Sequence, residues 1–165
     1  MENQNTHEGD VRLRPVEAED DPFLLKVYAS TRAAELSQTG WDAAQKETFV
    51  RMQFNAQRQH YQSRFPDAEH SVILKGNQTV GRLYVSDSAE ELRVLDITVL
   101  PEHRSAGIGG AILRDLLASA RKAGKPVRIH VEADSRCTGL FNRLGFTVAQ
   151  EKELHVLLEW VPRGE

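Results

Sequence analysis

The stretch from Leu92 to Gly110 reads LRVLDITVLPEHRSAGIGG and decides the fold. It opens as an apolar, β-branched strand, Leu92 to Val99, which Pro101 stops. An amphipathic helix follows from Gly107 to Lys122. Ile112, Leu113, Leu116, Leu117 and Ala120 form its buried stripe, and Gly124 is its expected C-terminal cap. Glycines where a strand turns into a helix let the backbone approach a ligand closely. The first helical turn also exposes N–H groups without internal partners, at the positive end of the macrodipole. Together these make an anion site, most often for phosphate. Arg104 adds a positive charge beside it. A plain tight corner would use the same residues, but glycine at Gly107, Gly109 and Gly110 costs helix stability and asks for a further reason.

Working outward, Val11 to Arg14 alternates apolar and basic residues and reads as a first strand ending at Pro15. Asp21-Pro22 starts a helix, with Asp21 as the expected cap and Leu24, Val27, Tyr28 and Thr31 on one face. Asp42 and Gln45 resemble a capping box for a second helix, whose stripe is Val50, Phe54, Gln57 and Tyr61 and which Pro66 closes. Ser71–Leu74 and Val80–Val85 read as strands joined by a Gly76-Asn77 turn. Val127–Val131 is a strand, Ser135–Leu144 a helix, and Phe146–Ala149 and Leu154–Trp160 a closing strand pair. The order is β-α-α-β-β-β-α-β-α-β-β. It predicts an α/β (α+β) fold: a mixed, mostly antiparallel sheet of about seven strands with helices on both faces.

The chain has 165 residues, enough for a single domain, expected over residues 11–162 after a flexible polar tail at 1–10. Net charge is −3, which argues against a nucleic-acid-binding role. No apolar run is long enough for a membrane span, and the polar start does not resemble a signal peptide. One cysteine, Cys137, cannot form an internal disulfide, so a reducing, cytoplasmic setting is expected. None of the six histidines has ligand spacing, so no metal is expected. His103, His130 and His155 are expected to be structural, with the last two as reserve bases. A monomer or a homodimer is equally compatible with the sequence.

The loop lacks the Gly-Lys-Ser/Thr of a nucleotide triphosphatase. A dinucleotide fingerprint would need a glycine where Ile112 stands. What remains is Arg104-x-x-Gly107-x-Gly109 after a Val-x-Pro-Glu run. Downstream comes Asp134-x-x-Cys137-x-x-Leu140-Phe141-x-x-x-Gly145-Phe146. Both blocks resemble the GNAT superfamily of N-acetyltransferases. Leu13-Arg14-Pro15, Gly40-Trp41 and Glu159-Trp160-Val161-Pro162 are similar to its small bacterial members.

This resemblance implies acetyl transfer from acetyl-CoA to a primary amine by direct attack. A non-catalytic acyl-CoA-binding module is the alternative. The resemblance places the pyrophosphate on Arg104, Ser105, Ala106, Gly107, Ile108, Gly109 and Gly110. It places the pantetheine along Ile97, Thr98 and Val99, where the strand is expected to splay from Val127–Val131. Asp134 stands at a pantetheine-contacting position but is equally suited to capping its helix. Phe141 replaces a tyrosine held to protonate the departing thiolate, and Cys137 reads as an inert buried thiol.

Aspartate is unusual inside a strand, and Asp96 would share its face with Leu92, Val94 and Thr98. Two readings stand: a base or water-holder at the acceptor amine, or a structural carboxylate bonded to an early-helix arginine such as Arg32. Glu35, Trp41, Gln53, Gln57 and Tyr61 are the acceptor-side candidates. Trp41 and Tyr61 are equally suited to the core, and Glu35 would attract a cationic amine. Without an unmistakable base, a small-molecule or α-amine acceptor is favoured.

Overall fold

The computed structural model describes residues 10–132 and 138–163. Strand β1 (Val11–Pro15) leads into helices α1 (Asp21–Leu36) and α2 (Ala43–Arg64). Then come β2 (Glu69–Lys75), β3 (Gln78–Asp87), β4 (Leu92–Val99), α3 (Ile108–Ala123) and β5 (Val127–Glu132). Helix α4 (Thr138–Leu144), β6 (Thr147–Glu151) and β7 (His155–Trp160) close the chain. The seven strands form one sheet in the order β1-β2-β3-β4-β5-β7-β6. Every neighbouring pair is antiparallel except β4 and β5. The element order is the one the sequence predicts.

Local signals act largely as expected. Lys75 pairs with Gln78, so Gly76-Asn77 is the whole turn between β2 and β3. Asp42 accepts from the Gln45 backbone N–H at 2.8 Å, and the Gln45 side chain accepts from the Asp42 N–H at 3.0 Å, closing the capping box. Asp21 is different. It is the first residue of α1 rather than its cap, and its carboxylate takes a bond from Arg58 of α2 at 2.7 Å. The N-cap is Asp20, whose side chain makes no bond to α1: Arg14 holds both of its oxygens at 2.9 Å, and the Glu17 backbone N–H donates to one of them at 2.7 Å.

Each sheet face is covered. On one side Ile112, Leu113, Leu117 and Ala120 of α3 pack on Ile73, Leu83, Val94, Val127 and Ile129. Ile112 and Leu113 are each 1% exposed, so each contributes roughly 1.5–3 kcal/mol of burial. On the other side α1 and α2 form their own cluster of Leu24, Tyr28, Leu36, Val50 and Phe54.

One irregularity repositions the key strand. Tyr84 of β3 pairs with Asp96, yet the next residue, Val85, pairs with Val94. Leu95 is the extra residue of a β-bulge, and a bulge resets which face each later side chain occupies. Asp96 therefore does not share a face with Leu92 and Val94, as simple alternation predicts. Leu92 and Val94 point into the α3-side core, while Asp96 and Thr98 lie on the α2 side.

Candidate functional site

β4 and β5 run together for only three paired positions, Leu92–Val127, Arg93–Arg128 and Val94–Ile129. β4 continues to Val99 and β5 to Glu132, so the sheet forks beyond the bulge. Ile97, Thr98 and Val99 keep their β3 partners but have none on β5. Their other backbone edge faces the fork. At its far end Arg104 donates from Nε to the Val99 carbonyl at 3.1 Å.

Gly81 holds the β3 side of this edge. A Cβ there would sit 2.1 Å from the Thr98 carbonyl oxygen, so only glycine lets β3 approach this part of β4.

The loop from Arg104 to Gly110 closes the same end. Ser105 (φ 66°) and Gly107 (φ 78°) are both left-handed, which turns successive N–H groups toward one side. Gly107 caps α3 with no side-chain capping bond. Ile108 and Gly110 are buried and anchor the turn, while residues 104–107 are exposed. Gly109 is informative: its φ is not positive, and a Cβ there would meet no atom within 4 Å. Neither packing nor backbone conformation demands glycine at that place, although glycine costs a helix about 1 kcal/mol relative to alanine. Among the described residues nothing packs against this position, so the backbone of the first α3 turn is open there.

Below the fork Asp96 is tied to β3 and α2. Arg82, only 2% exposed, donates from Nε to Asp96 Oδ2 at 2.8 Å and makes a second, shorter bond from Nη2. The same Nη2 donates to Gln57 of α2 at 2.6 Å, and the Thr98 hydroxyl donates to Asp96 Oδ1 at 2.6 Å. Asp96 is thus a paired carboxylate, but its partner is Arg82 and not Arg32. Arg32 instead meets Glu35 at 3.1 Å and Glu132 of β5 at 3.7 Å. The bulge is pinned from above: the Tyr61 hydroxyl donates to the Leu95 carbonyl at 3.0 Å. Burial, aided by Asp96, pushes Tyr61 up to about 12, so this donor stays protonated.

The acceptor-side candidates separate into three groups. Gln57 and Tyr61 line a cavity of about 250 Å³ under α1 and α2, with Arg58, His70, Arg82 and Tyr84. Gln53 accepts from the Tyr28 hydroxyl at 3.2 Å, and Arg32 Nε reaches the same hydroxyl at 3.3 Å, which links Gln53 to the Arg32–Glu35 pair. Trp41 packs edge-on against Phe49 at 5.2 Å and remains 38% exposed. Phe141 of α4 is buried against Phe146, ring centres 5.3 Å apart. His103 closes the short 3-10 turn Pro101–His103 ahead of the loop, and His130 and His155 lie on β5 and β7. Asp134 and Cys137 lie outside the described residues.

Sequence reasoning missed Arg82 and placed Tyr28 only on the apolar face of α1, not in contact with Gln53 and Arg32. Arg82 left a usable signal: a charged residue inside the apolar run Val80–Val85 needs a buried counter-charge, and Asp96 was the other misfit nearby.

Comparisons with known proteins bear on this geometry. Residues 32–162 match the family pattern described as an acetyltransferase (GNAT) domain. The chain is 31% identical over 110 residues to YjcF, an uncharacterised N-acetyltransferase of Bacillus subtilis (strain 168), covering 66% of this chain and 76% of that one. Among solved structures it is similar to the PaiA N-acetyltransferase of Thermoplasma acidophilum in complex with coenzyme A, with a TM-score of 0.69 and 17% identity over 92% of this chain and 98% of that one. An acetyltransferase of Thermus thermophilus superposes with a TM-score of 0.68 at 17% identity, over 94% and 99% of the two chains.

Proposed function

The chain belongs to the GNAT family of acetyltransferases, and from that premise we propose that it transfers an acetyl group from acetyl-CoA to a primary amine. The observation that carries this reading is the β4–β5 fork closed by an uncapped, glycine-lined helix start. Backbone N–H groups of residues 104–110 would hold the pyrophosphate, supported at Gly109 by the absence of any protein reason for glycine. Ile97 to Val99 would bond the pantetheine amides through the edge that β5 leaves unpaired. The coenzyme A complex of the Thermoplasma acidophilum protein, which shares this fold, supports the assignment.

The transfer is direct. A neutral amine attacks the thioester carbonyl, a strand N–H steadies the oxygen as charge develops, the C–S bond breaks and the thiolate leaves, and the proton that the amine nitrogen sheds passes through water to the departing sulfur or to solvent. Phe141 has no proton to give. General-acid help is worth ~10²–10⁴ in rate, but a thiol of pKa ~8.5 is already a fair leaving group. The chain therefore runs this chemistry more slowly, not differently.

Asp96 is assigned a positioning role, since Arg82 and Thr98 occupy both of its oxygens. Glu35 sits on the rim beside Arg32, which offsets its pull on a cationic amine. With no free carboxylate base at the bulge among the described residues, the pKa of the acceptor decides. Freeing a lysine-like amine of pKa ~10.4 at about pH 7.4 costs about 4 kcal/mol, whereas an α-amine of pKa ~8 costs about 1 kcal/mol. An α-amine acceptor is favoured.

Incubation with acetyl-CoA and a broad amine panel, read by thiol release, tests this. Release that depends on an amine is the expected result. Tight coenzyme A binding with no release on any amine supports the binding-module alternative, and no binding removes both.

A further inference from the structure

His130 stands one residue past Ile129, the last β5 position paired to β4, and so lies at the fork. Alternation fixes its face. Val127 and Ile129 are buried in the α3-side core, whereas Glu132 reaches Arg32 of α1. His130 therefore lies on the α1 side of the sheet, as Asp96 does. Arg93 Nη1 lies 3.1 Å from its Nδ1. A guanidinium has only donors and does not give up its proton. Nδ1 must supply the lone pair, and the single proton of the neutral ring sits on Nε2. Glu91 holds the other two Arg93 nitrogens at 3.2 and 3.3 Å, which keeps the guanidinium from turning away. Charging the ring would set a second N–H against Arg93. Burial lowers the His130 pKa, and Arg93, His155 and Lys152 add to this while Glu91 opposes it. A ring in this state cannot accept a proton at Nε2 and can only donate a hydrogen bond there.

We propose that His130 reads the acceptor: its Nε2–H, fixed by Arg93, binds a carbonyl or carboxylate oxygen adjacent to the nucleophilic amine. The proposal rests on the amine-acceptor reading above and narrows it to α-amino acyl compounds: amino acids, their amides and peptide N-termini. Polyamines and alkylamines offer no such oxygen. The geometry also removes His130 from the candidate bases.

Two measurements test it. Imidazole ¹⁵N NMR reports the tautomer without any turnover. The Nε2–H form is expected in the wild type and a mixture in Arg93→Met, and an Nδ1–H form in the wild type overturns the proposal. Transfer rates, expressed per neutral amine, are then compared for alanine, alaninamide and isopropylamine. The wild type is expected to favour the two oxygen-bearing acceptors, or the one whose oxygen fits, by roughly tenfold or more, about one hydrogen bond's worth. His130→Ala should erase that preference, and His130→Asn, which keeps an N–H donor, should retain part of it. Equal rates, or a preference that survives His130→Ala, overturns the proposal. No transfer to any of the wider amine panel is a separate result: it removes the amine-acceptor reading itself, and this proposal with it.

Discussion

Arg82 and Asp96 show at the residue scale how two apparent misfits explain each other. Each is a charged side chain in a strand, and each supplies what the other needs. Removing one partner of a buried pair leaves an uncompensated charge, which costs about 3–5 kcal/mol. Arg82→Ala should therefore lose about 3 kcal/mol or more in urea denaturation. Arg32→Ala breaks ion pairs whose carboxylates are more than half exposed and one bond to the Tyr28 hydroxyl, so it should lose only about 1 kcal/mol. Equal losses would contradict the assignment. The need for a partner at Asp96 was legible in the sequence, because aspartate is rare in strand interiors. The partner's identity was not. Arg32 and Arg82 are both arginines, and only the β3–β4 register decides between them.

Element by element, the sequence carried the order well and the faces less well. The glycine turn, the proline stop and the α3 stripe each act over a few residues, so each could be read locally. The bulge at Leu95 could not, because it depends on pairing with a strand elsewhere in the chain. It turns Asp96 from the α3 side to the α2 side, and α2 then secures the kink through Tyr61. Tyr61→Phe deletes a hydrogen bond worth about 1 kcal/mol. Backbone amides around Asp96 and Ile97 should then exchange roughly fivefold faster, with the rest of β4 unaffected. Unchanged exchange there would mean that the bulge needs no support from α2. The shape of the loop was legible for a related reason: glycine spacing marks a strand-to-helix turn with left-handed backbone and exposed N–H groups, and Gly107 takes that conformation. The acceptor side depends on which side chains three separate elements bring together, and the sequence spread its candidates over three places.

For the molecule as a whole, the α1/α2 face carries partly buried polar groups beside its apolar cluster. His70 is one of them, stacked on Tyr84 at 4.4 Å with Nε2 buried and unpartnered among the described residues. Burial, then the nearby Arg82, push it down to about 4, against about 6.5 unfolded. The unfolded chain takes up this proton first. That share of stability is thus complete above about pH 6.5 and is lost as pH falls toward about 4. Urea midpoints should decline across this window, and His70→Phe, which keeps a ring against Tyr84, should flatten the decline. Asp20, held below the usual carboxylate value by Arg14, acts lower on the pH scale and should not mask the effect. An identical slope in the variant would assign the decline to other groups.

The central claim is that one end of this fork, built from backbone rather than charged side chains, receives coenzyme A. Calorimetric titration of acetyl-CoA into the wild type and Gly109→Asp tests it most directly. A side chain at this position meets no protein atom in the fold, so the variant should melt within a few degrees of the wild type. Its carboxylate would stand where the phosphates are placed. Saturable binding by the wild type and none by the folded variant is the predicted result; unchanged affinity in Gly109→Asp would contradict the account.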